Sequence, residues 1–391
     1  MIEINLKNKQ SLPFRGKKIA IVYDRVNKFG GAERVLLTLH EMFPDAPLYT
    51  SVVDEKNAPW ADVFPKIHTS FLQNIPFAKN NHELFGWLMP LAFESFDFGT
   101  ASSGKNYDLV ISVTSEAAKG IITGTNTLHI CYILTPTRYL WSGYEEYFKN
   151  SVLKLLSKPV INYLRWWDKV AATRPDKIIA ISTEVQKRIK KYYNRDPEII
   201  FPPVETLNSH RNELHDAYYL YVGRLVKYKK IDLLIDTFNE LGLPLVIVGV
   251  GSEAFSLKHK AKSNIKFLGQ ISDEELSKVY MKAKAFIMPQ DEDFGITSVE
   301  AQSFGIPVIA FKSGGALDTV VNGKTGIFFD RQNKESLKQA IAKFDTIRFN
   351  DGYLVTNAKR FSKERFKRQL QRSLIRSFDS WRRRNSSLAS I

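Results

Sequence analysis

The sequence predicts an α/β protein built from two doubly wound domains. Three observations support this. Short apolar runs alternate with helical stretches of about ten residues, and the alternation occurs twice. It breaks once, at Pro202-Pro203-Val204-Glu205 and the polar run 206–217, which has the composition of a linker. A chain of 391 residues also exceeds what one ordinary core accommodates. Regular βα alternation means parallel sheets with right-handed crossovers. The expected architecture is two Rossmann-like domains, 1–204 and 205–359, facing a central ligand cleft lined by the loops at the carboxyl ends of their strands.

Each element has a local reason. Residues 17–23, KKIAIVY, are an apolar strand, followed by Gly30-Gly31 and an apolar-periodic helix at 35–42. Strand, glycine pair and helix suit a phosphate loop, and equally a plain tight turn. Residues 47–53 and 63–70 read as short strands. The stretch 82–98 is rich in large apolar residues, and core is their expected place. Some of them could form an apolar surface for lipid or a greasy acceptor. Strands follow at 108–113 and 128–134. The second ends in Thr135-Pro136-Thr137-Arg138-Tyr139-Leu140-Trp141, where Arg138, Tyr139 and Trp141 are candidate acceptor contacts, or an ion-paired arginine with packed aromatics. Residues 151–173 form a long helix with basic residues and Trp166-Trp167. Strand 177–181, helix 183–193 and strand 198–201 complete the first series.

The second series restarts at strand 218–222. Helix 231–241, strand 245–248, helix 253–260, strand 265–268, helix 273–282 and strand 285–288 follow. Residues 296–304 form a short helix with Gly305 as its stop and Pro307 beyond. Strands at 308–311 and 326–328 and a helix at 334–344 close the series.

Composition narrows the class. The net charge of +15 favours anionic partners. Ten Lys/Arg against two acids lie between Arg360 and the end, among apolar residues at three- and four-residue steps. That pattern fits a solvated helix face, and also a membrane-surface helix. No apolar run approaches the ~18 residues needed to span a bilayer. The start, MIEINLKNKQ, lacks the apolar core of a signal peptide, so a cytoplasmic location is expected. The single cysteine, Cys131, leaves no internal disulfide and no thiolate metal cluster.

The chemistry gathers in loops after strands. Arg224 and Lys229, five residues apart, can clamp a diphosphate. Gly249 and Gly251 lie in the next such loop. Residues 290–315 carry Glu292, Glu300, a helix start and Gly314-Gly315. Carboxylates accept hydrogen bonds from sugar hydroxyls, and a helix N-terminus suits a phosphate. Diphosphate plus hydroxyls describes a nucleotide sugar. Taken singly, Glu292 reads as part of an acidic surface loop. Glu300 reads as the end of a Thr297-x-x-Glu300 capping box.

The segment EDFGITSVEA, from Glu292 to Ala301, resembles the Glu-x7-Glu motif of the retaining family-4 glycosyltransferases. The likeness covers most of the chain. Gly30-Gly31-Ala32-Glu33-Arg34 resembles that family's N-terminal glycine loop, and Gly223-Arg224-Leu225 with Lys229 its diphosphate-binding segment. FGIPVIA from Phe304 and Gly314-Gly315-Ala316-Leu317-Asp318 continue it. The resemblance implies the two-domain GT-B fold, with 360–391 crossing back as a helix onto the first domain. It implies Arg224 and Lys229 on the leaving diphosphate, Glu292 on the transferred sugar and Glu300 on the ribose. Gly30, Gly31, Gly223, Gly249, Gly251, Gly314, Gly315 and the helix start Phe294-Gly295-Ile296-Thr297 would line the donor site. No metal or other cofactor is implied.

The wording GGAERVLL, TPTRYLW and EDFGITSVEAQ looks most like bacterial enzymes that build surface polysaccharide, many of them mannosyltransferases using GDP-mannose. A UDP-sugar serves the same site. The acceptor implied is a glycan or a polyprenyl-diphosphate-linked oligosaccharide, reached at the anionic inner face of the membrane. One departure stands out: Leu134 occupies the place where relatives often carry a histidine that touches the sugar. This keeps a non-catalytic, membrane-associated subunit open as an alternative. A nucleotide-sugar epimerase and a nucleic-acid binder are the other rivals. The second is disfavoured because the cations cluster on long helices, away from the glycine loops.

Overall fold

The computed structural model describes residues 14–79, 82–99, 106–147, 151–206 and 218–388. The N-terminal segment discussed above and positions 207–217 of the polar run lie outside the described residues.

The chain divides into two compact units, one of residues 1–201 and 366–391, the other of 202–365. In the first unit β1 (Ile19–Tyr23), α1 (Gly31–Met42), β2 (Leu48–Thr50), β3 (Ile67–Thr69), α2 (Met89–Glu94), β4 (Leu109–Thr114) and β5 (Leu128–Ile133) come in order. Then follow α3 (Tyr144–Tyr147), α4 (Ser151–Ala171), β6 (Lys177–Ala180), α5 (Thr183–Tyr193) and β7 (Glu198–Ile199). The seven strands form one sheet in the order β3-β2-β1-β4-β5-β6-β7. Every pairing in it is parallel. A parallel sheet must be covered on both faces, so its strands read as continuous apolar runs. Accordingly every residue of β1, β4 and β5 is buried.

The second unit begins with β8 (Tyr218–Val222), α6 (Ile231–Leu241), β9 (Leu245–Val248), α7 (Ala254–Lys260), β10 (Ile265–Gly269) and α8 (Asp273–Lys282). It continues with β11 (Ala283–Met288), α9 (Ile296–Ser303), β12 (Val308–Phe311), α10 (Ala316–Thr319), β13 (Gly326–Phe329), α11 (Lys334–Phe344) and α12 (Asp351–Lys359). Its six strands are again all parallel, in the order β10-β9-β8-β11-β12-β13. One core layer centres on Leu234, Phe238, Ile247, Ile287 and Ile341. The other centres on Phe286, Ala301, Phe304 and Val308. In both sheets the connection direction reverses beside the first strand. That switch point, outside the carboxyl ends of two neighbouring strands, is where open α/β sheets bind ligands.

The last helix, α13 (Lys363–Leu388), supplies residues to the first unit from Phe366 onward. Phe366, Leu370, Leu374 and Phe378 are buried. Phe366 packs edge-on against Tyr132, and Phe378 does so against Phe14. The apolar face that made this segment read as a membrane helix is thus used in the protein's own core. The stretch 82–98 divides differently. Met89, Phe93 and Phe98 are buried, whereas Leu84, Trp87 and Leu91 are more than half exposed. Among the described residues no helix is long and apolar enough to cross a membrane.

Candidate functional site

The switch point of the second sheet lies between β8 and β11, and their following loops hold the charged residues of interest. The loop after β8 contains Gly223, Arg224 and a 3-10 turn, Lys227–Lys229. The loop after β11 contains Gln290 and Glu292. Because β8 and β11 pair directly, loops more than sixty positions apart in sequence meet here. Lys229 Nζ donates to Glu292 Oε1. The same oxygen accepts from Gln290 Nε2 at 2.8 Å. Both partners are largely desolvated, with 12% and 19% of the Lys229 and Glu292 side chains exposed. Arg224 is the more open cation, donating to the Tyr228 hydroxyl at 2.6 Å. Burial, reinforced by the charge of Glu292, pushes the Tyr221 hydroxyl well above its ordinary pKa.

Two close backbone approaches explain the glycines. Gly249 has φ +136°, and a Cβ there would overlap the carbonyl of Gly223. Gly314 has φ +54°, and a Cβ there would overlap Asp291 and the Glu292 carbonyl. The Gly315 N–H donates to that same Glu292 carbonyl at 2.7 Å. The segment carrying Glu292 is therefore held from two sides, by the glycine pair through its backbone and by Lys229 and Gln290 through its side chain.

Helix α9 starts beside this segment. Its N-cap is Gly295, in the left-handed region at φ 88°, and no side chain caps it. Thr297 and Glu300 both lie inside the helix, so they do not form the capping box that their spacing suggests. The box forms instead at α8, between Ser272 and Glu275. Glu300 is buried, and its Oε2 accepts from the Tyr280 hydroxyl at 3.3 Å. Phe294, just before the helix, is buried against Phe361. A brace that sequence reasoning missed supports α9 from α12. Asn357 Nδ2 donates to Gln302 Oε1 at 2.7 Å, and Gln302 Nε2 donates to the Thr319 carbonyl at 3.0 Å.

The switch point of the first sheet lies between β1 and β4. Gly30 is the N-cap of α1 and Gly31 its first residue. Asp24 is fully buried and ties this region together. Its carboxylate accepts from the Thr114 hydroxyl and from the N–H groups of Ser115, Ala117 and Ala118, at 2.6–2.9 Å. Arg25 pairs with Glu116 at 2.5 Å. Burial would lower the Arg25 guanidinium, but the Glu116 and Asp24 charges and the hydrogen bond to Glu116 act together against it and hold it above its usual range. Nothing in the sequence pattern singled out Asp24 or Arg25.

The polar side-chain atoms of Tyr139 and Trp141, in the aromatic loop after β5, are committed to structure. Tyr139 donates to Glu116 Oε1 at 2.9 Å. Trp141 donates to Asp168 Oδ2 at 2.7 Å and stacks on Tyr192. Asp168, itself buried, also accepts from Thr137 and Tyr193 and pairs with the buried Lys119 at 2.5 Å. Arg138 is partly exposed in the same loop. His129 is enclosed in the sheet beside Ser112, with burial pushing its pKa down to about 3, so it cannot stand in for a histidine at Leu134. Among the described residues no group of three His, Cys, Asp or Glu side chains is placed to hold a metal ion.

Comparisons with known proteins agree with this architecture. Residues 205–361, most of the second unit, match the family described as Glycosyl transferases group 1. D-rhamnosyltransferase WbpZ of Pseudomonas aeruginosa is 26% identical over 211 residues, 51% of this chain and 55% of that protein. O-antigen chain mannosyltransferase C of Escherichia coli is 26% identical over 203 residues, 48% of this chain and 51% of that protein. The chain thus spans about half the length of these relatives. The crystal structure of Anabaena HepE in complex with UDP superposes with a TM-score of 0.67 at 17% identity, covering 91% of this chain and 99% of that one. At that identity the likeness is one of fold. The chain has two Rossmann-like parallel-sheet domains of the GT-B type.

Proposed function

We propose that this chain is a retaining family-4 hexosyltransferase. It takes a sugar from a nucleotide sugar and passes it to a glycan or polyprenyl-diphosphate-linked acceptor during cell-surface polysaccharide synthesis. It works from the cytoplasm, held peripherally at the anionic inner face of the membrane. The observation that carries the reading is the meeting of Lys229 with Glu292 at the switch point of the second sheet, beside Arg224 and the glycine pair. The match of residues 205–361 to group 1 glycosyltransferases supports it independently.

The chemistry follows from charge. Breaking the bond between the anomeric carbon and the diphosphate oxygen develops negative charge on the leaving group. Arg224, Lys229 and the N-terminus of α9 are the groups that stabilise it. Glu292, oriented by Lys229 and Gln290, accepts hydrogen bonds from the transferred sugar. Glu300 would hold the ribose. Arg138, partly exposed in the aromatic loop, would meet the acceptor, while Tyr139 and Trp141 donate to Glu116 and Asp168. With retention, the acceptor hydroxyl attacks on the face the diphosphate vacates. The new C–O bond forms as the old one breaks, and the hydroxyl proton passes to a leaving phosphate oxygen. No metal is required, because the two cations neutralise the diphosphate.

GDP-mannose is the donor to test first, in keeping with the mannosyltransferase among the relatives. A UDP-sugar is the second reading, prompted by the UDP in the HepE crystal. The test incubates the protein with GDP-mannose, UDP-glucose and UDP-galactose and a polyprenyl-diphosphate-linked oligosaccharide. Transfer, hydrolysis and epimerisation are followed separately. One donor should give an α-linked product from an α-configured donor. Epimer without transfer, an inverted anomer, or no reaction with any donor would each defeat the proposal.

A further inference from the structure

Helix α4 is apolar on two sides. One side is buried, through Ile161, Leu164, Trp167 and Ala171. The other bears Leu156, Val160, Tyr163, Trp166 and Val170, at steps of three and four, so they form one stripe along the helix. These residues are exposed, Leu156 by 70% and Trp166 by 62%. A single exposed leucine is ordinary, but a continuous stripe of this kind marks an interaction surface. Leu84, Trp87 and Leu91 are also exposed, on the preceding elements. Those elements are tied to α4, since Trp167 Nε1 donates to Glu94 Oε1 at 2.6 Å.

Charge identifies the occupant. Lys158 and Lys169 are exposed and lie along one edge of the stripe. The helix's one acid, Asp168, is buried and fully engaged with Lys119, Thr137, Trp141 and Tyr193. A surface with apolar and aromatic residues at its centre and lysines along its edge matches an anionic bilayer interface. There the rings sit among the headgroups and the lysines reach the lipid phosphates. The net charge of +15 adds a long-range attraction of the same sign. The C-terminal helix shares the basic charge, but its apolar face is spent in the core.

We infer that the outward stripe of α4, with Leu84, Trp87 and Leu91, is the face by which this protein docks on an anionic membrane. The inference deepens the membrane reading proposed above and does not depend on which sugar is transferred.

The test is flotation of the full chain with vesicles of phosphatidylcholine alone and of equimolar phosphatidylcholine and phosphatidylglycerol. The wild type should float with the anionic vesicles and weakly or not at all with the neutral ones. Leu156→Ser/Trp166→Ser should lower partitioning by about tenfold or more. Lys158→Glu should weaken it several-fold, with a difference that fades at high salt. Arg382→Glu/Arg383→Glu on α13 should leave most of the binding intact. Circular dichroism checks the fold of each variant. The inference is overturned if the wild type ignores anionic vesicles, if the α4 double variant binds like wild type, or if the α13 variant alone abolishes binding. It is also overturned if the double variant only converts a dimer to a monomer, which would make the stripe a contact between copies. Transfer to a water-soluble acceptor, run in parallel, should be the same in wild type and double variant. If neither transfers but flotation still separates them, the enzyme reading fails and the membrane face stands.

Discussion

Lys229→Met removes one of the two cations assigned to the leaving diphosphate while keeping the side chain's length. Its cost can be worked from the geometry. Breaking a fully buried ion pair by deleting one partner costs about 3–5 kcal/mol, and an exposed pair contributes about 0–1 kcal/mol. Lys229 and Glu292, at 12% and 19% side-chain exposure, fall between these limits. The single change should therefore cost about 1–3 kcal/mol, because Glu292 is left largely desolvated beside Gln290 Nε2. Adding Glu292→Gln removes the stranded charge, so the double variant should be more stable than the sum of the single effects implies. Turnover should behave differently. Losing a charge from the leaving group should lower kcat by about 10²–10³. The double variant should not recover it. The assays are urea unfolding of the full chain for the four proteins of the cycle and steady-state transfer on the identified donor. A Lys229→Met enzyme with kcat within about threefold of wild type would refute the role given to Lys229. A coupling energy below about 0.5 kcal/mol would show that the pair does not organise the loop.

Gly314→Ala should lower donor affinity by tenfold or more while leaving the second sheet folded. A Cβ at φ +54° collides with Asp291 and the Glu292 carbonyl and displaces the Glu292 segment; titration with donor and circular dichroism together check this. Acid should weaken the first unit through His129. The unfolded chain takes up the imidazole proton near 6.5, but the native protein resists it down to about 3. Stability is thus full above pH 6.5 and falls as the pH drops toward 3, by about 2 kcal/mol at pH 5. His129→Gln should flatten that slope in urea titrations at pH 5 and pH 7.5; an unchanged slope would remove His129 as its source. Stripping divalent metals with EDTA should leave transfer undiminished, and loss of activity restored by one particular metal would show that Arg224 and Lys229 do not suffice.

The βα alternation was readable because strands buried on both faces leave continuous apolar runs such as IAIVY and LVISVT. The loops of interest were readable because each follows such a run. Their proximity was not, since Lys229 meets Glu292 only through the strand order that places β8 beside β11. The helix start at α9 illustrates a local ambiguity. Thr297-x-x-Glu300 has capping-box spacing, yet Gly295 adopts the left-handed conformation and starts the helix two residues earlier. Helix α12 went unread because DGYLVTNAK has a glycine and no clear apolar period, although Asn357 on it braces α9. Helix α4 and α13 show the opposite difficulty. Periodicity reveals apolar faces but not which of them the protein covers, and the structure buries the face of α13 while leaving one stripe of α4 outside. The Asp24 cluster and the Lys119–Asp168 pair join residues 49 to 94 positions apart, a separation that leaves no trace in local pattern.

The central claim is that the switch point of the second sheet receives the diphosphate of a sugar nucleotide. Calorimetric titration of GDP and UDP into the wild type and into Arg224→Ala/Lys229→Met tests it most directly, because it needs neither acceptor nor turnover. One nucleotide should bind the wild type, and the double variant should bind it at least a hundredfold more weakly, about 2.7 kcal/mol. Equal affinity in the two proteins, or no binding of either nucleotide to the wild type, would contradict the claim.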